Sequence, residues 1–184
     1  MNKKVVIGLA GMPGSGKSVV REAAGELGCS IVMMGDEIRL ETKRRKLELT
    51  PENVGEVMLK LREEEGPGVV AKRCVPKIKG AKGKTVLVDG IRSLHEVEEF
   101  RKRFPNFTLL AVHTSPKTRF QRLFKRKRSD DPKRWETFQE RDLRELNVGL
   151  GSVIASANFM IVNEGSRAEL KRKAQKILES VIKR

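Results

Sequence analysis

The chain has 184 residues, 38% of them hydrophobic and 34% charged, and a formal net charge of +15. That length suits one domain with an adequate core, and no apolar run approaches the length of a membrane span. Cys29 and Cys74 stand far apart without a C-x-x-C, which argues against a zinc site or disulfide framework and fits a reducing, cytoplasmic setting. The positive balance suits anionic partners, namely nucleotides, coenzymes or nucleic acid. Dense charge is equally a habit of proteins from hot environments. With no Tyr, one Trp and seven Phe, a stacking platform for single-stranded nucleic acid is poorly supplied, so nucleic acid is the less favoured partner.

The opening Met1-Asn2-Lys3-Lys4 has the charge of a signal peptide, but the apolar run behind it is too short. That run, residues 4–9, reads as a strand. It leads into Gly11-Met12-Pro13-Gly14-Ser15-Gly16-Lys17-Ser18, a complete G-x-x-x-x-G-K-[ST] phosphate-binding loop. A helix-compatible stretch from Val19 to Leu27 follows, and this strand–loop–helix context is what the motif requires. The glycines let successive N–H groups turn toward a polyphosphate, and the helix adds its positive dipole end. Lys17 can reach the terminal phosphates and the Ser18 hydroxyl can ligate Mg²⁺. A nucleoside-triphosphate site is the expectation.

Further strands are expected at 30–34, 84–88, 107–113 and 158–162, with helical stretches between them. Continuous apolar strands such as Thr85-Val86-Leu87-Val88 suit a sheet covered on both faces, so the alternation predicts an α/β fold with a parallel sheet. A lobe lies between the second and third strands. Val54, Val57, Met58 and Leu61 recur there at helical spacing behind Pro51, Gly66-Pro67-Gly68 breaks the pattern, and a second helix follows from residue 69. A basic helix is expected from Pro116 to Arg128, and an amphipathic one over 168–184.

In such sheets ligands gather beyond the carboxyl ends of the strands, and each expected strand end carries polar or glycine residues. Gly35-Asp36-Glu37-Ile38-Arg39 follows the second, Asp89-Gly90-Ile91-Arg92 the third, and Asn163-Glu164-Gly165-Ser166 the fifth. Asp89 is the best candidate for the carboxylate of a magnesium site. Asp36 has two readings: a base or orienting group for an acceptor, or the N-cap of a helix over 37–47. Arg39 and Arg92 each follow such an acid by three residues, suitable for gripping a second anion. Arg119, Arg122 and Arg126 share one helix face, which reads either as a guanidinium clamp over the triphosphate or as a solvated or RNA-binding face. Asp130 and Asp131 either cap the next helix or pair with the arginines at a lid hinge. Arg128 and Arg141 flank that pair. Trp135 and Phe138 read as packing residues, and His95 and His113 as structural ones.

This order of motifs resembles the P-loop nucleoside monophosphate kinase superfamily, over most of the chain. Gly35-Asp36-x-x-Arg39 resembles the adenylate-kinase element that grips the AMP phosphate. Asp89-Gly90-Ile91-Arg92 is similar to the Asp-Gly-Phe-Pro-Arg strand end, without its Pro and one residue shorter. Arg122-Leu-Phe-Lys-Arg126 resembles the Arg-x-x-x-Arg at the lid entrance, and Arg128-Ser-Asp130-Asp131 with Arg141 resembles the pair that reaches both substrates. Asn158 to Ser166, with Asn163, looks like the last strand and base-binding loop. The phosphate loop and Arg141-Asp142-Leu143-Arg144-Glu145-Leu146 together most resemble an archaeal adenylate-kinase-related family. Dephospho-coenzyme A kinases also place a catalytic Asp where Asp36 stands.

The resemblance implies a five-stranded core of strand order 2-3-1-4-5 with helices on both faces, within a single domain spanning 1–184. It implies an acceptor lobe over 36–80 and a short Arg-rich lid over 116–131. The leading expectation is phosphate transfer from ATP, with Mg²⁺, to a nucleoside monophosphate, AMP or CMP first, by a monomer or dimer. Lys17 and residues 11–18 would bind the donor, Ser18 and Asp89 the metal, and Asp36, Arg39 and Arg92 the acceptor. Arg122, Arg126, Arg128 and Arg141 would neutralise the transferring group. A coenzyme-precursor kinase with Asp36 as base stands as the alternative, as does an ATP-binding regulatory or RNA-associated protein with slow hydrolysis.

Overall fold

The computed structural model describes residues 4–127 and 131–183. Its centre is one five-stranded, all-parallel sheet of order β2-β3-β1-β4-β5. The strands are β1 (Val5–Ala10), β2 (Ser30–Met33), β3 (Thr85–Asp89), β4 (Phe107–His113) and β5 (Phe159–Val162). Each lies within a residue or so of its predicted place. Nine helices among the described residues surround it: α1 (Lys17–Glu26), α2 (Met34–Arg44), α3 (Pro51–Glu65), α4 (Val69–Gly80), α5 (Leu94–Arg103), α6 (Pro116–Arg126), α7 (Trp135–Val148), α8 (Leu150–Ala155) and α9 (Arg167–Ile182). None of these helices is long and apolar enough to cross a membrane.

The period-2 alternation of the strands divides the core into two. On one face Val6, Ala10, Val86, Val88 and Leu109 pack with side chains of α2 to α5 and α8. On the other, Ile7, Leu9, Leu87, Leu110 and Val112 pack with α1 and α9. Both faces of the inner strands are covered, which is why these strands read as unbroken apolar runs, while Ile31 of β2 and Met160 and Val162 of β5 stay exposed at the sheet edges. Each such Val, Leu or Ile side chain contributes roughly 1.5–3 kcal/mol by leaving water. Gly8 interrupts the apolar pattern of β1 for a steric reason. A Cβ there would stand 2.4 Å from Ile91 Cδ1 and 2.8 Å from the Phe107 ring.

Several expectations about helix ends are corrected. α2 begins directly at the end of β2, with Met33 as its extended N-cap, so Asp36 lies inside the first turn and caps nothing. Asp131 is likewise no cap: the residue preceding α7 is Arg134, which makes no side-chain cap bond, while Asp131 is buried and bonded by Arg126 (Nε–Oδ2 2.9 Å). α3 starts as expected, with the Thr50 side chain accepting from Asn53 N and Pro51 in the first turn. Ser93 caps α5 and Ser166 caps α9 in the same way.

Strand order places the carboxyl ends of β1, β3 and β4 side by side. β1 is the central strand, flanked by β3 and β4, and the chain reverses direction of winding across it. That is where a ligand crevice forms in an open α/β sheet.

Candidate active site

Residues 11–16 turn over the end of β1 into α1. Gly16 precedes the helix in the left-handed region (φ 106°), and a Cβ on it would lie 2.5 Å from Asn163 Nδ2. Glycine is therefore the residue that fits there. The loop is held from beneath by β4 and β5: Asn163 Nδ2 donates to Ser15 O at 2.8 Å, and the Thr114 hydroxyl lies 3.1 Å from the same carbonyl. It is held from the side by Arg119, whose Nη1 donates to Pro13 O at 3.3 Å.

Lys17 folds back over this loop, its ammonium donating to Gly11 O and, at 3.3 Å, to Met12 O. Burial pushes its pKa down to about 8; Asp89 and Glu145 oppose that fall, and Arg92 and Arg21 add to it. A bound polyphosphate would supply the countercharge that the loop itself lacks. Asp89, last residue of β3, is 4% exposed. One carboxylate oxygen meets Arg21 Nη1 at 3.1 Å; the other is shielded from solvent and has no hydrogen-bond partner. Burial raises its pKa, against the pull of Lys17, Arg21 and Arg92.

One cavity of about 450 Å³ collects these groups. It is lined by Gly11, residues 13–18, Asp89, Arg92, Arg122, Arg126, Arg141 and Asn163, all predicted site residues. Met12 is buried in the core beneath the loop. Arg122 reaches Asn163 Oδ1 (3.5 Å) and Gly165 O (3.4 Å) across the mouth between α6 and the β5–α9 loop. Arg92 faces α7, with Nη1 at 3.3 Å from Glu145 Oε1. Asp36 and Arg39 are not among the lining residues. They are exposed and paired with one another at 2.7 Å. Arg128 and Asp130 lie outside the described residues.

Arg119 departs from the clamp expectation. It is 3% exposed, bonded through both terminal nitrogens to Asp142 of α7 and 4.9 Å over the Phe138 ring. It braces the loop rather than covering the cavity. Arg21, Glu145 and Arg167 line the cavity as well, and the sequence pattern did not single them out. For Arg21 the available signal was its place one helical turn after Lys17, on the same face.

Among the described residues no group of three or more His, Cys, Asp or Glu is placed to hold a metal by itself. The oxygen donors present, the Ser18 hydroxyl and the unpartnered Asp89 oxygen, fit a magnesium ion that draws its other ligands from phosphate and water.

Sheet order, phosphate loop and cavity together define a nucleotide-binding, kinase-like P-loop protein. Solved structures of low sequence identity share the fold. A shikimate kinase from Bacteroides thetaiotaomicron aligns with a TM-score of 0.65 at 16% identity, over 96% of this chain and 98% of its own. A gluconokinase from Sinorhizobium meliloti aligns with a TM-score of 0.55 at 15% identity, over 97% and 95%. A family model described as an AAA domain matches residues 10–139. The UPF0200 protein of Pyrococcus abyssi is 50% identical over 182 residues, 97% of each chain. That of Methanocaldococcus jannaschii is 50% identical over 180 residues, 97% of this chain and 91% of its own. The chain belongs to the UPF0200 family.

Proposed function

We propose that this protein is a cytoplasmic ATP-dependent phosphotransferase whose acceptor is a nucleoside monophosphate, AMP or CMP first. The charge of the cavity carries this reading. Lys17, Arg21, Arg92, Arg122, Arg126, Arg141 and Arg167 line it against two acids, Asp89 and Glu145. Four of these arginines are paired with acids, Arg21 with Asp89, Arg92 with Glu145, Arg126 with Asp131 and Arg167 with Glu22, and arriving phosphates can take the place of those acids, since phosphoryl transfer asks a protein chiefly for positioning and charge neutralisation. Two phosphorylated substrates account for the number of basic groups gathered there.

In this reading the loop N–H groups and Lys17 hold the β- and γ-phosphates, and Lys17 leaves the carbonyls of Gly11 and Met12 to do so. Ser18 and Asp89 would hold Mg²⁺, which would supply positive charge against that of the phosphates. Arg92 holds the acceptor phosphate beside the 36–80 lobe, while Arg39, paired with Asp36 outside the cavity lining, is not needed for it. An oxygen of that phosphate attacks the γ-phosphorus in line as the bond to the ADP oxygen breaks. Arg122, Arg126 and Arg141, with Arg128, spread the negative charge. Residues 116–131 serve as the lid, and Asn163 lies beneath the nucleotide.

The placement of Asp36 supports a phosphate acceptor over the hydroxyl of dephospho-coenzyme A. A base must reach the proton it removes, whereas Asp36 is exposed, bonded to Arg39 and outside the cavity lining. A coupled ADP-release screen over nucleoside monophosphates and dephospho-coenzyme A tests the assignment. Turnover on AMP or CMP, lost in Lys17→Ala, is expected. Release that is flat across the panel, or unaltered in Lys17→Ala, contradicts it.

A further inference from the structure

Glu145 is the one acid on the face of α7 that borders the cavity. Arg141 lies one turn before it, and both line the space above the phosphate loop. Between them Asp142 is bonded to Arg119, which in turn donates to Pro13 O. The backbone of α7 is thereby fixed relative to the loop, and Glu145 with it. Its Oε1 lies 3.3 Å from Arg92 Nη1. Its Oε2 is shielded from solvent and has no hydrogen-bond partner.

Such an oxygen is costly to keep. A carboxylate taken from water without a donor loses the hydration that the folded protein then fails to replace. The deficit points to a donor that arrives with a ligand. Phosphate groups are ionised near neutral pH and repel a carboxylate, so the donor belongs to a part of a substrate that is not phosphate. Arg92 is the resting partner of Glu145, and in the reading above it is the group that grips the acceptor phosphate.

We propose that Glu145 recognises the sugar of the acceptor: Arg92 exchanges Glu145 for the acceptor phosphate, and the freed carboxylate accepts a hydrogen bond from a ribose hydroxyl. The acceptor class is then the ribonucleoside monophosphates rather than their 2′-deoxy counterparts. This rests on the nucleoside monophosphate reading of the same site. It adds a residue that selects among such acceptors, and it gives the Arg141-Asp142-x-x-Glu145 spacing a purpose. Arg141 and Glu145 face the substrates, while Asp142 anchors the helix that carries them.

The test compares AMP with dAMP and CMP with dCMP, as kcat/KM and as binding by calorimetry with a non-hydrolysable ATP analogue and Mg²⁺ present. The wild-type protein is expected to prefer the ribonucleotide by roughly tenfold to a hundredfold, the range for one hydrogen bond to a charged group. In Glu145→Ala the preference collapses toward unity, and in Glu145→Gln it is intermediate; thermal unfolding of both variants reports whether the fold persists. Equal use of both sugars by the wild-type protein overturns the proposal without any variant. A preference that survives in Glu145→Ala also overturns it. So does a Glu145→Gln variant whose only change is a raised Mg²⁺ requirement. Turnover on nucleoside monophosphates without sugar preference refutes this inference alone. Neither binding nor turnover of any of the four refutes the acceptor assignment as well.

Discussion

Arg119→Ala removes a guanidinium that is 3% exposed and four contacts with it. These are the two-pronged bond to Asp142, the Nε bond to Thr114 O at 3.1 Å, the Nη1 bond to Pro13 O at 3.3 Å and the seat over Phe138. The dominant cost is what remains. The Asp142 side chain is only 14% exposed, and its charge loses its partner in a place where water cannot replace it. Breaking a buried pair in this way costs about 3–5 kcal/mol. Against a typical total stability of about 5–15 kcal/mol, that is a large share. For a domain of this size it lowers Tm by about 6–20 °C. Arg119→Met combined with Asp142→Leu removes both charges and recovers most of the loss, because a buried ion pair is worth little more than well-packed apolar side chains. Urea unfolding with linear extrapolation on the wild type, Arg119→Met, Asp142→Leu and the double variant completes the cycle, with Arg119→Ala measured beside it. A loss below about 1 kcal/mol in Arg119→Ala, or a double variant no more stable than either single one, refutes the reasoning.

Lys17 carries a pKa lowered by burial to about 8 from 10.5. Between those values the unfolded chain binds more protons than the folded one, so this group's contribution to stability rises with pH across that window. Lys17→Met is therefore expected to be more stable than the wild type at pH 7, with the gap narrowing from pH 8 upward in denaturant midpoints; a constant gap argues that the ammonium is well solvated. Asp89→Asn should raise the Mg²⁺ concentration needed for half-maximal turnover by about tenfold or more, and an unshifted magnesium titration counts against Asp89 as the metal carboxylate. Gly16→Ala forces a side chain into a left-handed conformation and against Asn163 and Leu170. It is expected to cost about 1–3 kcal/mol in unfolding measurements, together with a loss of ATP affinity in titrations, and normal affinity means that the loop tolerates the shift.

The parallel sheet, its strand positions and the phosphate loop were legible in the sequence because each depends on local pattern. Strands buried on both faces are written as apolar runs, and a loop that turns its N–H groups inward is written in glycines. Asp89 was legible too, since a strand's last residue is also a residue at the sheet's carboxyl edge. Side-chain partnership was not legible. Arg119, Arg122 and Arg126 carry the same residue type at helical spacing, yet Arg119 turns inward because α7 brings Asp142 and Phe138 against it. Asp36 and Arg39 match a family motif in spacing, but α2 begins so close behind β2 that they pair with each other on an exposed turn. Glu145 carries no mark of its own in the sequence, because its partner Arg92 stands 53 positions earlier in the chain. Local pattern in the chain sets where the strands form and where a polyphosphate would rest, because hydrophobic periodicity and backbone freedom act over a few residues. Which charges face the cavity and which are spent on one another is settled by packing, because ion pairing acts through space between elements distant in the chain.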